Sequence, residues 1–139
     1  MTTNDRPNLP RLLIAGLAAG LVINVFEYFV HGMFLDAQWT AAFAALGKAP
    51  TGWTTFIPAN FLVGIIAIWI YTRMSPSYGS GSKTAVRAAL AVWVVFWVIP
   101  EMALQPLKLF PDSLLFTVIA VGLLDSIPAV LLGAWIYRR

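Results

Sequence analysis

Long apolar stretches alternate with short polar ones along this chain. Four of them approach or exceed the roughly 20 residues that span a bilayer: about Leu12 to Leu35, Phe56 to Thr72, Thr84 to Gln105 and Ser113 to Tyr137. None alternates residue by residue, so the pattern predicts helices and no β-barrel. A helix satisfies its own backbone in hydrocarbon, where no water is available to do so. Pro58 falls in the first turn of the second run, where a missing N–H is harmless. Asp112 or Ser113, just after Pro111, is placed to cap the fourth. Arg6 and Arg11 ahead of the first run imitate a secretory signal. That run is longer than a signal core, however, and no small-x-small site closes it near Asn24 to Met33, so it reads as a retained helix.

The connections differ in kind. SPSYGSGS, from Ser75 to Ser82, is rich in Gly and Ser and predicts a flexible inner loop. Between Asp36 and Thr55, Trp39, Phe43 and Leu46 recur at helical spacing beside alanines. They predict a short interfacial helix on the outer face, ended by Gly47 and Pro50; an ordered connector without function fits the same residues. No repeat relates the two halves, and residues 1–139 read as a single integral membrane domain.

Composition agrees. Of the 139 residues 60% are hydrophobic and 11% charged, against about a quarter charged in soluble domains, which excludes an ordinary water-soluble globule. The absence of cysteine excludes disulfides, thiolate metal sites and thiol catalysis. The net charge of +3 reads as membrane orientation and not as a nucleic-acid footprint. Arg6, Arg11, Arg73, Lys83, Arg87, Arg138 and Arg139 fall on one side of a four-span arrangement, and only Lys48 and Lys108 on the other. The expectation is an all-α, polytopic four-transmembrane-helix bundle, N-in and C-in. Trp69, Tyr71, Trp135 and Tyr137 then belong to the inner interface, and Trp39 and Trp53 to the outer one.

Polar residues inside the apolar runs carry the candidate chemistry. Asn24, Glu27 and His31 share one helix face, which Gly16 and Gly20 continue. Membrane helices approach closely along such small-residue stripes, so this face is expected to point into the bundle. Gly122, Ser126, Ala129 and Gly133 form a second stripe with Asp125 beside it; Glu101 and Gln105 lie four apart in the third run, Trp97 one turn away, and Asn60 in the second. Pro100 and Pro128 each remove a helical donor within about a turn of a carboxylate. A charge at the centre of a spanning helix costs ~3 kcal/mol, so Asp125 is expected to be neutral, paired or hydrated.

These positions predict a polar pocket in the outer half, lined by Glu27, His31, Asn60, Glu101 and Asp125, with Asn24, Tyr28, Trp97 and Gln105 as further lining candidates. It suits a proton, a cation or a small polar ligand. Glu27, His31, Glu101 and Asp125 also make a nitrogen/oxygen set suited to a divalent metal such as zinc, iron or manganese. Interhelical hydrogen bonding explains the same residues without any ligand. A Glu-x-x-x-His spacing lacks the second histidine of a zincin motif, and no phosphate loop or nucleophile elbow is present, so the residues argue for binding over catalysis.

The run leading through EYFVHGMFLDAQW, and GLLDSIPAVLLGAWIYRR at the C-terminus, resemble the first and last helices of a small bacterial membrane family, domain of unknown function 1761. The resemblance covers about half the chain and departs from the family pattern at Glu27, where the family has Trp before the Tyr at Tyr28, and at His31. It implies a short four-helix protein of the bacterial inner membrane, with Asp125 as a matching position and no mechanism. With the charge count, it leads to cytoplasmic termini. Two functions follow as expectations: a pocket protein binding a proton, cation or polar ligand, or an accessory subunit whose polar face meets partner helices in a homo-oligomer or larger complex. Beyond such partners only the lipid bilayer is expected.

Overall fold

The computed structural model describes residues 7–139, all of whose regular structure is helical. The helices are α1 (Leu9–Phe34), α2 (Asp36–Ala45), α3 (Trp53–Tyr78), α4 (Ser82–Leu107) and α5 (Asp112–Arg138). All but α2 are long and apolar enough to cross a membrane. Arg6 lies outside the described residues.

Local chemistry explains where the helices begin and end. The Asn8 side chain accepts from the Arg11 N–H at 3.1 Å, so α1 starts three residues before the sequence pattern suggests. The flexible loop expected over residues 75–82 is a correction. Helix α3 runs on to Tyr78 with Pro76 inside it, and only residues 79–81 turn the chain. Gly79 takes a φ of +81°, while the Thr84 hydroxyl donates to the Gly79 carbonyl at 2.6 Å and Arg138 holds the Ser80 carbonyl at 3.0 Å. The predicted cap of α5 is also corrected. Neither Asp112 nor Ser113 caps it; Asp112 sits inside the first turn and pairs with Lys108 at 3.0 Å. The short helix expected around Trp39 and Phe43 is present as α2, and Gly47 ends it at a φ of +67°.

The long helices run alternately up and down. A Cβ placed on Gly16 would meet the Ile65 Cα at 2.6 Å, and one on Gly20 the Phe61 Cα at 2.6 Å, so α1 and α3 are antiparallel and in backbone contact. Gly64 closes the seam against Gly20 and Gly16. On the other side of α1, a Cβ on Gly133 of α5 would meet the Ala15 carbonyl oxygen at 2.9 Å. Trp97 of α4 packs directly on Gly122 of α5, and the Trp93 indole donates to the Ile119 carbonyl at 2.7 Å.

Many of the residues at the helix contacts are small. Ala15, Ala19, Ala67, Ala85, Ala88, Ala89, Ala129 and Ala134 are fully buried, whereas Ile14, Leu62, Phe116 and Leu124 stand more than 60% exposed. Small residues inside let backbones approach, and dispersion contacts then hold the helices together. Tyr71 is fully buried in the core against Tyr137.

Arg11, Arg73, Lys83, Arg87, Arg138 and Arg139 gather at the end that carries residues 79–81. Arg73 lies over Trp69, Arg87 over Tyr78 at 4.9 Å and Arg139 over Trp135 at 4.3 Å. The other end carries α2, Lys48, Lys108 and an aromatic cluster. There Trp39 meets Phe110 at 5.5 Å and Trp53 at 6.0 Å between ring centres, and Phe43 meets Phe110 at 5.6 Å.

Candidate functional site

Helix α1 brings polar side chains to two different neighbours. Asn24 faces α3: its amide donates to the Gly20 carbonyl of its own helix at 3.0 Å and to the Ile57 carbonyl of α3 at 3.2 Å, and its oxygen accepts from the Asn60 amide at 3.2 Å. Both amides are thus used in holding α1 to α3. This corrects the expected lining: Asn24 and Asn60 belong to that seam.

Three residues later the helix face has rotated, and Glu27 is a neighbour of Asp125 on α5. Asp125 is fully buried at the midpoint of α5. Its Oδ1 is 3.1 Å from the Ser126 hydroxyl, which also reaches the Gly122 carbonyl one turn back. A hydroxyl has one proton, so Ser126 cannot fully satisfy both acceptors. Glu101 of α4 lies within electrostatic range of Glu27. His31 Nε2 is 3.4 Å from Glu27 Oε2, a long contact, while His31 Nδ1 accepts from the Trp39 indole of α2 at 2.9 Å.

Glu27 Oε1, His31 Nε2, Glu101 Oε2 and Asp125 Oδ2 are buried with no hydrogen-bond partner. Buried polar atoms are nearly always paired, so four orphans drawn from three helices set this place apart. Counting residues at 1.5 Å each, Glu27 lies roughly 10 Å from the α2 end of α1, and Glu101 about 9 Å from the corresponding end of α4.

Backbone irregularity accompanies the cluster. Residues Val30–Phe34 and Val94–Val98 are π-helical, the first containing His31 and the second Trp97. The wider turn at Val94–Val98 makes room ahead of Pro100, whose ring would otherwise strike the preceding turn. Pro128 is instead absorbed within an uninterrupted α5.

Other expectations for the lining are corrected. Tyr28 points outward at 65% exposure, and Gln105 is exposed in the last turn of α4. Trp97 is a packing residue, seated on Gly122. The metal set is corrected too: among the described residues, no three of His, Asp or Glu converge closely enough to hold a metal ion. His31 has given one nitrogen to Trp39, and Asp125 is turned toward Ser126, so the four side chains do not aim at one point.

Two participants escaped the sequence reading. Ser126 stood out only as a small residue, although a hydroxyl next to a mid-helix acid is a ready partner for it. Trp39 stood out only as interfacial; it reaches His31 because the chain bends at Leu35 between α1 and α2, which periodicity alone does not reveal. Comparisons with models of known families, with characterised proteins and with solved structures return no match for this chain.

Proposed function

We propose that this chain is an integral membrane protein whose four long helices form a spanning bundle, and that the cluster of Glu27, Asp125, Glu101 and His31 is an intramembrane proton site. The apolar exterior, the small-residue interior and the basic, aromatic-flanked end support the membrane placement. With that basic end cytoplasmic, both termini are inside and the site lies in the outer half of the bilayer. The resemblance of the first and last helices to a bacterial family favours the bacterial inner membrane.

The observation that carries the site is the group of four unpartnered buried atoms. Carboxylate oxygens only accept hydrogen bonds. Two neighbouring carboxyls inside an apolar bundle therefore need a donor between them. A shared proton supplies it at the least cost in charge. His31 is the one titratable nitrogen beside them, and it sits on the α2 side.

Infrared difference spectroscopy on the full chain in phosphatidylcholine/phosphatidylglycerol bilayers tests this. The expected result is a protonated-carboxyl C=O band near neutral pH that is absent in Asp125→Asn and weakened in Glu27→Gln. A wild-type spectrum without the band, or one unaffected by both substitutions, would overturn the reading.

A second reading has its own observation. The Glu27 side chain remains 21% exposed and that of His31 12%. A partner helix, from a second copy or another protein, would cover them and provide the missing donors. Oligomeric state compared between wild type and Glu27→Gln distinguishes it: assembly lost together with an unchanged carboxyl band favours the accessory role.

A further inference from the structure

We infer that Trp39 is a positioning residue for this site, and that α2 is a lid whose seating is mutually exclusive with a charged His31. The inference rests on the proton reading only for what would charge the imidazole; the latch itself stands on geometry.

The indole N–H of Trp39 donates to His31 Nδ1 at 2.9 Å. An indole nitrogen can only donate, so Nδ1 must carry a lone pair and the ring's proton must sit on Nε2, the nitrogen 3.4 Å from Glu27 Oε2. Trp39 thereby fixes the tautomer that aims a donor at the carboxyl cluster. A second proton on the imidazole would fall on Nδ1, facing the indole N–H. Two donors cannot share that bond, so the indole must leave.

What leaves with it is held chiefly by the rings of Trp39 and Phe43 against Phe110 and Trp53, and the Trp39 share of those contacts goes with the indole. Of the residues of α2, only Ala42 is buried; it packs with Leu35 and Leu114, supported by Val30, Phe110 and Trp39 itself. Beyond α2 the chain turns at Gly47 and Gly52, which have φ of +67° and +79° and open space, with at most one distant side-chain atom nearby. Glycines of this kind can absorb a change in direction. On its first side His31 lies in the π-helical turn Val30–Phe34, and the Leu35 N–H bonds back to the Val30 carbonyl at 2.8 Å.

The titratable groups around the imidazole are few. On its own helix Glu27 faces Nε2. Glu101 of α4 and Asp125 of α5 act through Glu27, Asp36 of α2 is exposed, and Asp112 of α5 is already paired with Lys108. From α3 only the amide of Asn60 comes near this part of α1, and it is bonded to Asn24. Uptake of a proton by the imidazole thus has one immediate structural consequence, the loss of the Trp39 bond. The site opens toward the α2 end when loaded and is covered when its histidine is neutral.

The chain has no cysteine, so single cysteines report cleanly. In the full chain in bilayers, maleimide modification of Ala42→Cys, on the buried face of α2, is divided by that of Ala44→Cys, on its exposed face. The ratio cancels the effect of pH on the thiol. It is expected to rise about fivefold, the weight of one hydrogen bond, on acidification from about pH 8 to about pH 5. His31→Asn keeps an acceptor near the Nδ1 position and cannot charge, so the ratio stays low throughout. Trp39→Phe removes the latch and leaves the ratio high at both values. Nitrogen-15 spectra of the single histidine add a readout that loose packing would not produce: one tautomer at about pH 8 in wild type, and both in Trp39→Phe. A wild-type ratio that does not change with pH, a pH response that persists in His31→Asn, or a mixed tautomer in wild type would each overturn the latch. The carboxyl band separates the two ideas. A band without a pH-dependent ratio leaves the site and removes the lid, whereas a pH-dependent ratio without the band does the reverse.

Discussion

Asn24 and Glu27 stand less than one turn apart on α1, and both are polar groups in an apolar helix. Their surroundings differ completely. Asn24 and Asn60 between them leave no buried side-chain atom without a partner, whereas the cluster around Glu27 leaves four. The chemistry of the groups explains this. An amide carries a donor and an acceptor, so two amides on facing helices complete one another and can use spare backbone carbonyls as well. Carboxylates only accept. Three of them gathered with one imidazole, itself latched to Trp39, have too few donors whatever the rotamers. The first seam is closed by its own atoms, and the second requires something from outside.

The strongest way to break the comparison is to damage the closed seam. A Cβ on Gly64 would fall on the Gly20 backbone nitrogen and the Gly16 carbonyl oxygen, neither of which can swing aside. Gly64→Ala should therefore lower stability by about 3 kcal/mol, the upper range for overpacking, read as a fall in unfolding temperature of the purified protein. Gly32→Ala is the control, because its Cβ would meet only the Tyr28 ring at 3.6 Å. Equal effects from both would show that α1 and α3 do not meet as closely as described. The amide pair should matter less. Asn24→Leu and Asn60→Leu, with the double variant, should give a coupling energy of ~1 kcal/mol. A coupling near zero would mean that the amides do not bond across the seam.

Much of this arrangement was legible in the residues. The four long helices follow from apolar run length, and the close approach of α1 follows from Gly16 and Gly20 standing four apart. Glu27, Asp125 and Glu101 were identifiable as the acids inside the apolar runs because so few others exist. What periodicity cannot supply is azimuth to within half a turn. Asn24 and Glu27 occupy the same stripe on a helical wheel, yet α1 has two neighbours and the boundary between them falls between these residues. Tyr28 and Gln105 were misplaced for the same reason, one rotated outward and the other beyond the contacts of α4. Inner-loop composition misled in a different way: Ser75 and Pro76 look like linker residues, but Ser75 donates to the Tyr71 carbonyl at 2.8 Å and the helix continues. The contact of Trp39 with His31 depends on the bend at Leu35, which apolar periodicity does not encode.

The smallest expected effect is also the one that best sharpens the contrast. Asp125→Asn replaces a fully buried acid by an isosteric amide, which brings to the Glu27 carboxyl the donor that the cluster lacks. If the cluster were glue like the amide seam, removing a member would leave the others exposed to a loss of about 3 kcal/mol, as when one partner of a buried pair is deleted. If it is a site held open for an external proton, the substitution relieves the shortage. Stability then stays level or rises by up to about 1 kcal/mol, while the protonated-carboxyl band disappears. Unfolding temperature and infrared spectrum, measured on the same preparation, give the two halves of this test. A variant that is markedly destabilised would place Asp125 with Asn24 and Asn60 as structural. One that is as stable as wild type and spectroscopically silent would show that this part of the bundle forgoes internal pairing in order to bind, because only a group kept short of partners has capacity left for a ligand.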